Sequence, residues 1–225
     1  MARYFEYSDE AVEHLKARDA KLAAAINAVG HVNREMMEEG DLFAAVVHHI
    51  IGQQISSAAQ ATVWARLQKN LGTVTPETVN AASVDQLQAC GTTFKKAGYI
   101  KNFAATVESG EFDLEAVAHM SDAEAIKTLS QLQGIGEWTA EMLLLFCLGR
   151  PDILSFGDLG IHRGMRMVYH HRKVTRAMFE KYRRRYSPYG SVASLYLWAI
   201  SHMDVPGYDH DYAPKNAKRK KTTRP

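Results

Sequence analysis

At 225 residues, 46 % of them apolar and 23 % charged, the chain is long enough to bury one large core or two small ones, with the balance of an ordinary globular protein. Two cysteines, Cys90 and Cys147, are too few for a disulfide framework or for a four-cysteine zinc or iron–sulfur site. The net charge of +2 hides an asymmetry. Lys215, Lys218, Arg219, Lys220, Lys221 and Arg224 crowd the end with no acid, leaving 21 basic against 25 acidic residues before them, so nucleic-acid contact by the body must come from local patches.

In chain order, MARYFEYSDEAVEHLKARD mixes charges without an apolar segment, and runs such as MLLLFCLG are far too short for a bilayer. The expectation is a cytoplasmic protein in a reducing compartment, with no membrane partner. DEAVEHLKARDAKLAAAINAVG has helical apolar spacing and ends at a glycine. DLFAAVVHHIIGQQISSAAQATVWARLQKNLG predicts two helices, broken near Gly52–Ser56, with Ser56 or Ser57 capping the second. TPETVNAAS opens with Thr-Pro, a helix start. SVDQLQACG, TFKKAGYIKNFAATVESG, DLEAVAHM and SDAEAIKTLSQLQGIG predict further helices, the last two with acids in their first turns. EWTAEMLLLFCLG, VTRAMFEKYRRRY and SPYGSVASLYLWAISH complete the body, and strand signals are scarce. The expected class is all-α. The expected division is an N-terminal helical segment (1–40) packed on the core, one helical subdomain (41–110), a second (111–207), and a basic disordered tail (208–225).

The stretch LQGIGEW separates a helix ending near Ser130 from one beginning near Glu137. Gly134 and Gly136 allow a tight turn and close approach of an outside backbone. The helix that follows offers free N–H groups and the positive end of its dipole to a phosphate. Ile135 is expected to point inward and join the two helices. Taken alone, the turn also fits a purely structural helical hairpin.

LQGIGEWTAEMLLLF followed by PDILSFGDLGIHRG, with HHIIGQQISSAAQATVWARL upstream and YRRRYSPYGSVASLYLWAIS downstream, resembles the helix-hairpin-helix (HhH-GPD) DNA glycosylase superfamily, in its AlkA-like 3-methyladenine DNA glycosylase II branch. The resemblance covers roughly residues 41–203 and lacks that branch's extra N-terminal domain. It implies two helical subdomains flanking a DNA-binding cleft, and a bacterial or archaeal, nucleoid-associated repair enzyme. It places the catalytic carboxylate on Asp158, where a fixed negative charge stabilises the oxocarbenium-like state of glycosidic cleavage. Asp158 is also positioned to cap LGIHRGMRMVYH. Trp138 stands where bifunctional relatives carry a lysine nucleophile, and the family's iron–sulfur cysteines are missing. The resemblance therefore points to a monofunctional hydrolase needing no cofactor for chemistry.

The flipped base needs flat apolar walls. The resemblance supplies Trp198, Trp138 and Met142, the last at a position where an aromatic is common, with Tyr196 a weaker candidate. The minor-groove wedge falls on Gln54, with Gln53 beside it. Gly134, Gly136 and Arg163 are expected on the DNA backbone, within a run from Ile161 to Tyr186 that carries nine Lys or Arg and one acid, Glu180. A Na+ or K+ ion held by the carbonyls of Ser130, Leu132 and Ile135 is implied at the hairpin. The ten histidines include two adjacent pairs but no HExxH spacing, so a catalytic transition metal is not expected. The implied substrate is double-stranded DNA carrying 3-methyladenine or 7-methylguanine, and the implied state is a monomer. The rival readings are a glycosylase of other range (1-methyladenine, 3-methylcytosine, hypoxanthine, uracil), a DNA-binding module without catalysis, and a helical scaffold.

Overall fold

The structure, a computed structural model, describes residues 3–36 and 41–214; the basic run from Lys215 onward lies outside them. Among the described residues the regular structure is helical, as expected, apart from one antiparallel bridge between Tyr4 and Glu35. The chain divides into two units, Met1–Phe5 with Arg34–Ile153 and Glu6–Asn33 with Leu154–Pro225.

Unit 1 opens with that bridge, closed by Phe5 N–H to Arg34 O (2.8 Å) and Met36 N–H to Arg3 O (2.7 Å). Its helices are α3 (Leu42–Gly52), α4 (Ser57–Leu71), α5 (Pro76–Ala81), α6 (Val84–Ala89), α7 (Phe94–Glu108), α8 (Leu114–His119), α9 (Asp122–Leu129) and α10 (Glu137–Phe146). The starts follow the predicted chemistry. Ser56, Thr75, Ser83, Thr93 and Ser121 each accept a backbone N–H from the first turn of the helix that follows. The core gathers the apolar stripes of α3, α7 and α10, with Phe43 stacked on Phe103 at 4.9 Å. Cys90 and Cys147 are buried free thiols.

Unit 2 contains α1 (Asp9–Arg18), α2 (Ala20–Val29), α11 (Leu159–Tyr169), α12 (Arg176–Tyr186) and α13 (Gly190–His202). The single helix expected over 9–30 is broken at Asp19. This aspartate ends α1 through its N–H to Leu15 O, and starts α2 by accepting from the N–H groups of Lys21 and Leu22 (both 3.0 Å). Its other oxygen meets Arg185. α11 crosses α13 so closely that a Cβ on Gly164 would lie 2.2 Å from Leu197 O, a contact only glycine permits.

Three expectations are corrected. The division near residue 110 fails because α10 packs on α3 and α9, which keeps the chain to Ile153 in one unit. Nor is 1–40 one segment: α1 and α2 pack with α11, α12 and α13. The tail is not uniformly loose either. Asp211 forms a two-pronged pair with Arg166 (2.6 and 2.7 Å), and Tyr212 stacks on His170 at 4.5 Å, so residues 208–214 are held on unit 2.

Candidate DNA-binding and catalytic residues

Unit 1 carries the hairpin. α9 ends at Leu129 with Ser130 as its cap, whose N–H bonds back to Ile126 O, and the turn tightens through Ile135 N–H to Leu132 O at 3.0 Å. Ile135 is buried, as its expected inward role requires. Gly134 has φ +86, and a Cβ there would strike the Tyr99 ring at 2.7 Å, so the fold itself demands glycine. Gly136 differs. Its φ is ordinary (−97) and a Cβ would meet no protein atom within 4 Å. It starts α10 without a side-chain cap. Trp138, one position into that turn, is 44 % exposed.

The predicted wedge loop follows α3. Gln54 is exposed and holds φ +60, a conformation that costs a non-glycine residue free energy and persists only where its surroundings enforce it. Those surroundings are explicit. Lys96 of α7 donates to Ile51 O (2.9 Å) and to Gln53 O, and Gln53 Nε2 donates to Gly134 O at 2.6 Å. Burial lowers the Lys96 pKa. Gln53 is therefore engaged as a tie between loop and hairpin, which corrects its candidacy as a wedge. The role of Lys96 escaped the sequence reading, because nothing local marks a lysine that reaches carbonyls more than forty residues away.

A groove of about 1230 Å³ lies in unit 1. It is lined on the α10 side by Trp138, Thr139 and Phe146, on the α3 side by Ala45, His48 and His49, and at the loop by Gln53 and Gln54. Met142 is not part of this lining; at 3 % exposure it packs inside unit 1.

Unit 2 carries the acid. Asp158 is 8 % exposed and is the N-cap of α11. Its Oδ1 accepts the Ile161 N–H at 2.8 Å and the Trp198 indole N–H at 2.9 Å. The capping role read from the sequence is thus present, and the indole bond is a constraint the sequence did not reveal. Trp198 remains part-exposed on α13. Tyr196, two residues earlier, is 2 % exposed with its hydroxyl 3.5 Å from that of Tyr7, so it is a core residue and not a pocket wall. Burial, with Tyr7 beside it, raises its pKa. Arg163 is exposed on α11. Within the basic run, Arg166 pairs with Asp211, Arg176 with Glu180 (2.8 Å) and Arg185 with Asp19.

Among known proteins, residues 47–188 match the HhH-GPD superfamily base excision DNA repair protein family. DNA-3-methyladenine glycosylase 1 of Schizosaccharomyces pombe is 29 % identical over 84 % of this chain and 85 % of its own length. DNA-3-methyladenine glycosylase 2 of Escherichia coli is 27 % identical over 70 % of this chain and 57 % of its own. The similarity is thus to 3-methyladenine glycosylases broadly and does not single out the AlkA-like branch. Its spread into fungi removes the restriction to bacteria and archaea. Among solved structures, a DNA-3-methyladenine glycosidase from Bacillus halodurans superposes with TM-score 0.79 at 30 % identity, covering 89 % of this chain and 93 % of that one. The S. pombe 3-methyladenine DNA glycosylase Mag1 in complex with abasic DNA superposes with TM-score 0.75 at 28 % identity, covering 89 % of this chain and all of that one.

Proposed function

The chain belongs to the HhH-GPD superfamily of base excision DNA repair proteins, and from that membership we propose that it is a monofunctional glycosylase hydrolysing the N-glycosidic bond of 3-methyladenine and 7-methylguanine in duplex DNA. It is an enzyme, a hydrolase of the DNA-3-methyladenine glycosylase type. The observation that carries the reading is the Asp158 carboxylate, fixed by two N–H donors at the start of α11.

Cleavage of the bond between base and sugar develops positive charge on the deoxyribose, and a held carboxylate stabilises it without reorganising. The same group orients a water toward C1′. A methylated purine that already carries positive charge departs readily, so the mechanism needs no strong acid. Trp138 stands where an amine nucleophile would be required for strand cleavage. Its exposed indole, with the part-exposed one of Trp198, is proposed to meet a cationic base, an interaction worth about 0.5–2 kcal/mol. Gln54 fills the gap left by the extruded base. Gly136 and the first turn of α10 receive a phosphate, and Arg163 contributes charge.

Hairpin carbonyls of Ser130, Leu132 and Ile135 are the oxygens that would hold a hard monovalent cation, Na+ or K+; the buried Ser130 hydroxyl, which lacks a hydrogen-bond partner among the described residues, supports a polar guest there, while the Leu132 carbonyl also accepts the Ile135 N–H. Such an ion would neutralise a DNA phosphate. The protein acts as a monomer in this reading, and no described helix is long and apolar enough to cross a membrane.

Incubating the protein with duplexes bearing one 3-methyladenine or 7-methylguanine tests the proposal. Free base should appear while the strand stays intact until hot alkali, with no adduct trapped by borohydride. Strand scission without alkali, or a trapped adduct, would contradict the monofunctional mechanism.

A further inference from the structure

A second titratable side chain of unit 2 stands beside Asp158, and the mechanism above gives it no role. Gly160 lies in the first turn of α11. A Cβ there would fall 2.8 Å from Trp198 Cδ1, 2.9 Å from His202 Cε1 and 3.1 Å from Asp158 Oδ1. The acid, the indole that bonds it and the edge of an imidazole thus converge on one point that glycine keeps clear.

His202 follows Trp198 by one turn of α13, so the two share a face of that helix. Its ring is held from behind. Ser201 Oγ and His202 Nδ1 both reach the carbonyl oxygen of Trp198, at 3.0 and 3.1 Å, and they lie 2.6 Å from each other. A carbonyl oxygen only accepts, and the hydroxyl has a single proton, so all three contacts are satisfied when Nδ1 carries the N–H. This network assigns the tautomer and makes Nε2 an unprotonated acceptor. His202 is exposed, and its Nε2 makes no hydrogen bond with described residues.

We propose that His202 is a second catalytic residue, which holds the attacking water together with Asp158 and takes its proton; this rests on the glycosylase reading above. The two groups border the same point, so a single water, about 2.8 Å from each partner, bridges them. In the step, the bond from C1′ to the base nitrogen breaks and its electron pair leaves with the base, neutralising a methylated purine cation. The water oxygen bonds C1′, and its proton passes to His202 Nε2 and then to solvent. Imidazole is a stronger base than carboxylate, which assigns the proton to the histidine and leaves Asp158 its charge for the sugar cation.

Single-turnover release of 3-methyladenine and 7-methylguanine by wild type, His202→Ala and His202→Phe tests this. Melting temperature and duplex affinity are measured beside it, and both should stay near wild type because the side chain is exposed. The release rate should fall about tenfold or more in both variants. Free imidazole should restore the alanine variant in a saturable way and leave the phenylalanine variant slow, a difference that a merely structural histidine would not produce. A folded, DNA-binding alanine variant that releases base at the wild-type rate, or a slow one that imidazole does not restore, would overturn the role of His202 and leave the glycosylase reading standing. A wild type that releases no base would overturn both.

Discussion

Trp198 donates its indole N–H to Asp158 across forty residues of sequence, and that bond suggests a division of labour within one side chain. In the proposed role the ring meets the base while the nitrogen holds the carboxylate. Trp198→Phe keeps a face and removes the donor. Single-turnover base release should fall about tenfold, on the scale of one lost charge-assisted bond, with duplex affinity held within about twofold. Equal losses in rate and affinity would assign Trp198 to binding alone. His49 carries a second residue-scale consequence. Its pKa is about 4 in the folded protein against 6.5 for the free side chain. Above pH 6.5 both states are neutral; between 6.5 and about 4 only the unfolded chain takes the proton. Stability from this group is therefore present above pH 6.5, falls with pH through the window, and is down by roughly 3 kcal/mol below it. His48, His162 and His171 are lowered by burial too and act in the same direction, so the measurement is a difference. Urea unfolding at pH 7 and pH 4.5 should show a smaller acid loss for His49→Gln than for wild type, and parallel losses would refute the assignment. The cap at Asp158 was legible from its sequence position. The burial of Tyr196 and Met142 was not: motif matching places a residue on a helix but not the face it turns.

At the scale of elements, the hairpin and the loop after α3 form one construction within unit 1. Lys96 holds the loop carbonyls, and Gln53 reaches the carbonyl of Gly134. The two hairpin glycines differ in what the fold asks of them. Gly134→Ala meets both a positive φ and the Tyr99 ring, and should cost about 1–3 kcal/mol in denaturant unfolding. Gly136→Ala meets no described atom within 4 Å and should cost only about 0.5–1 kcal/mol, because alanine is a poorer helix N-cap than glycine. It should weaken duplex binding about tenfold if a phosphate sits at the start of α10. A folded Gly136→Ala that binds duplex normally would argue against that docking. Helix starts were readable because Ser, Thr and Asp caps act over three residues. The break at Asp19 was missed because apolar spacing continues through it, and a buried aspartate doubling as stop and start leaves no mark on the periodicity.

At the scale of the whole chain, the all-α class followed from helical spacing and the scarcity of strand signals. The division into units did not, because it is set by which helices pack together. α1 and α2 precede the helices of unit 1 in sequence yet pack within unit 2, a pairing no local signal encodes. The segment 208–214 was read as loose from its polarity, but Arg166 and Tyr212 contacts hold it. Arg166 lowers the Asp211 pKa. Asp211→Asn should free the segment, seen as faster amide exchange over 208–214 at pH 7 with base release unchanged; unaltered exchange would mean the stacked tyrosine holds it alone.

The central claim is that the Asp158 carboxylate drives base release. Single-turnover release of 3-methyladenine by Asp158→Asn, beside wild type and with duplex affinity measured in parallel, tests it most directly. Asparagine keeps an oxygen for the Ile161 N–H and the Trp198 indole, so the fold and DNA binding should survive while the rate falls by about a hundredfold or more. An asparagine variant that releases base at the wild-type rate would contradict the account.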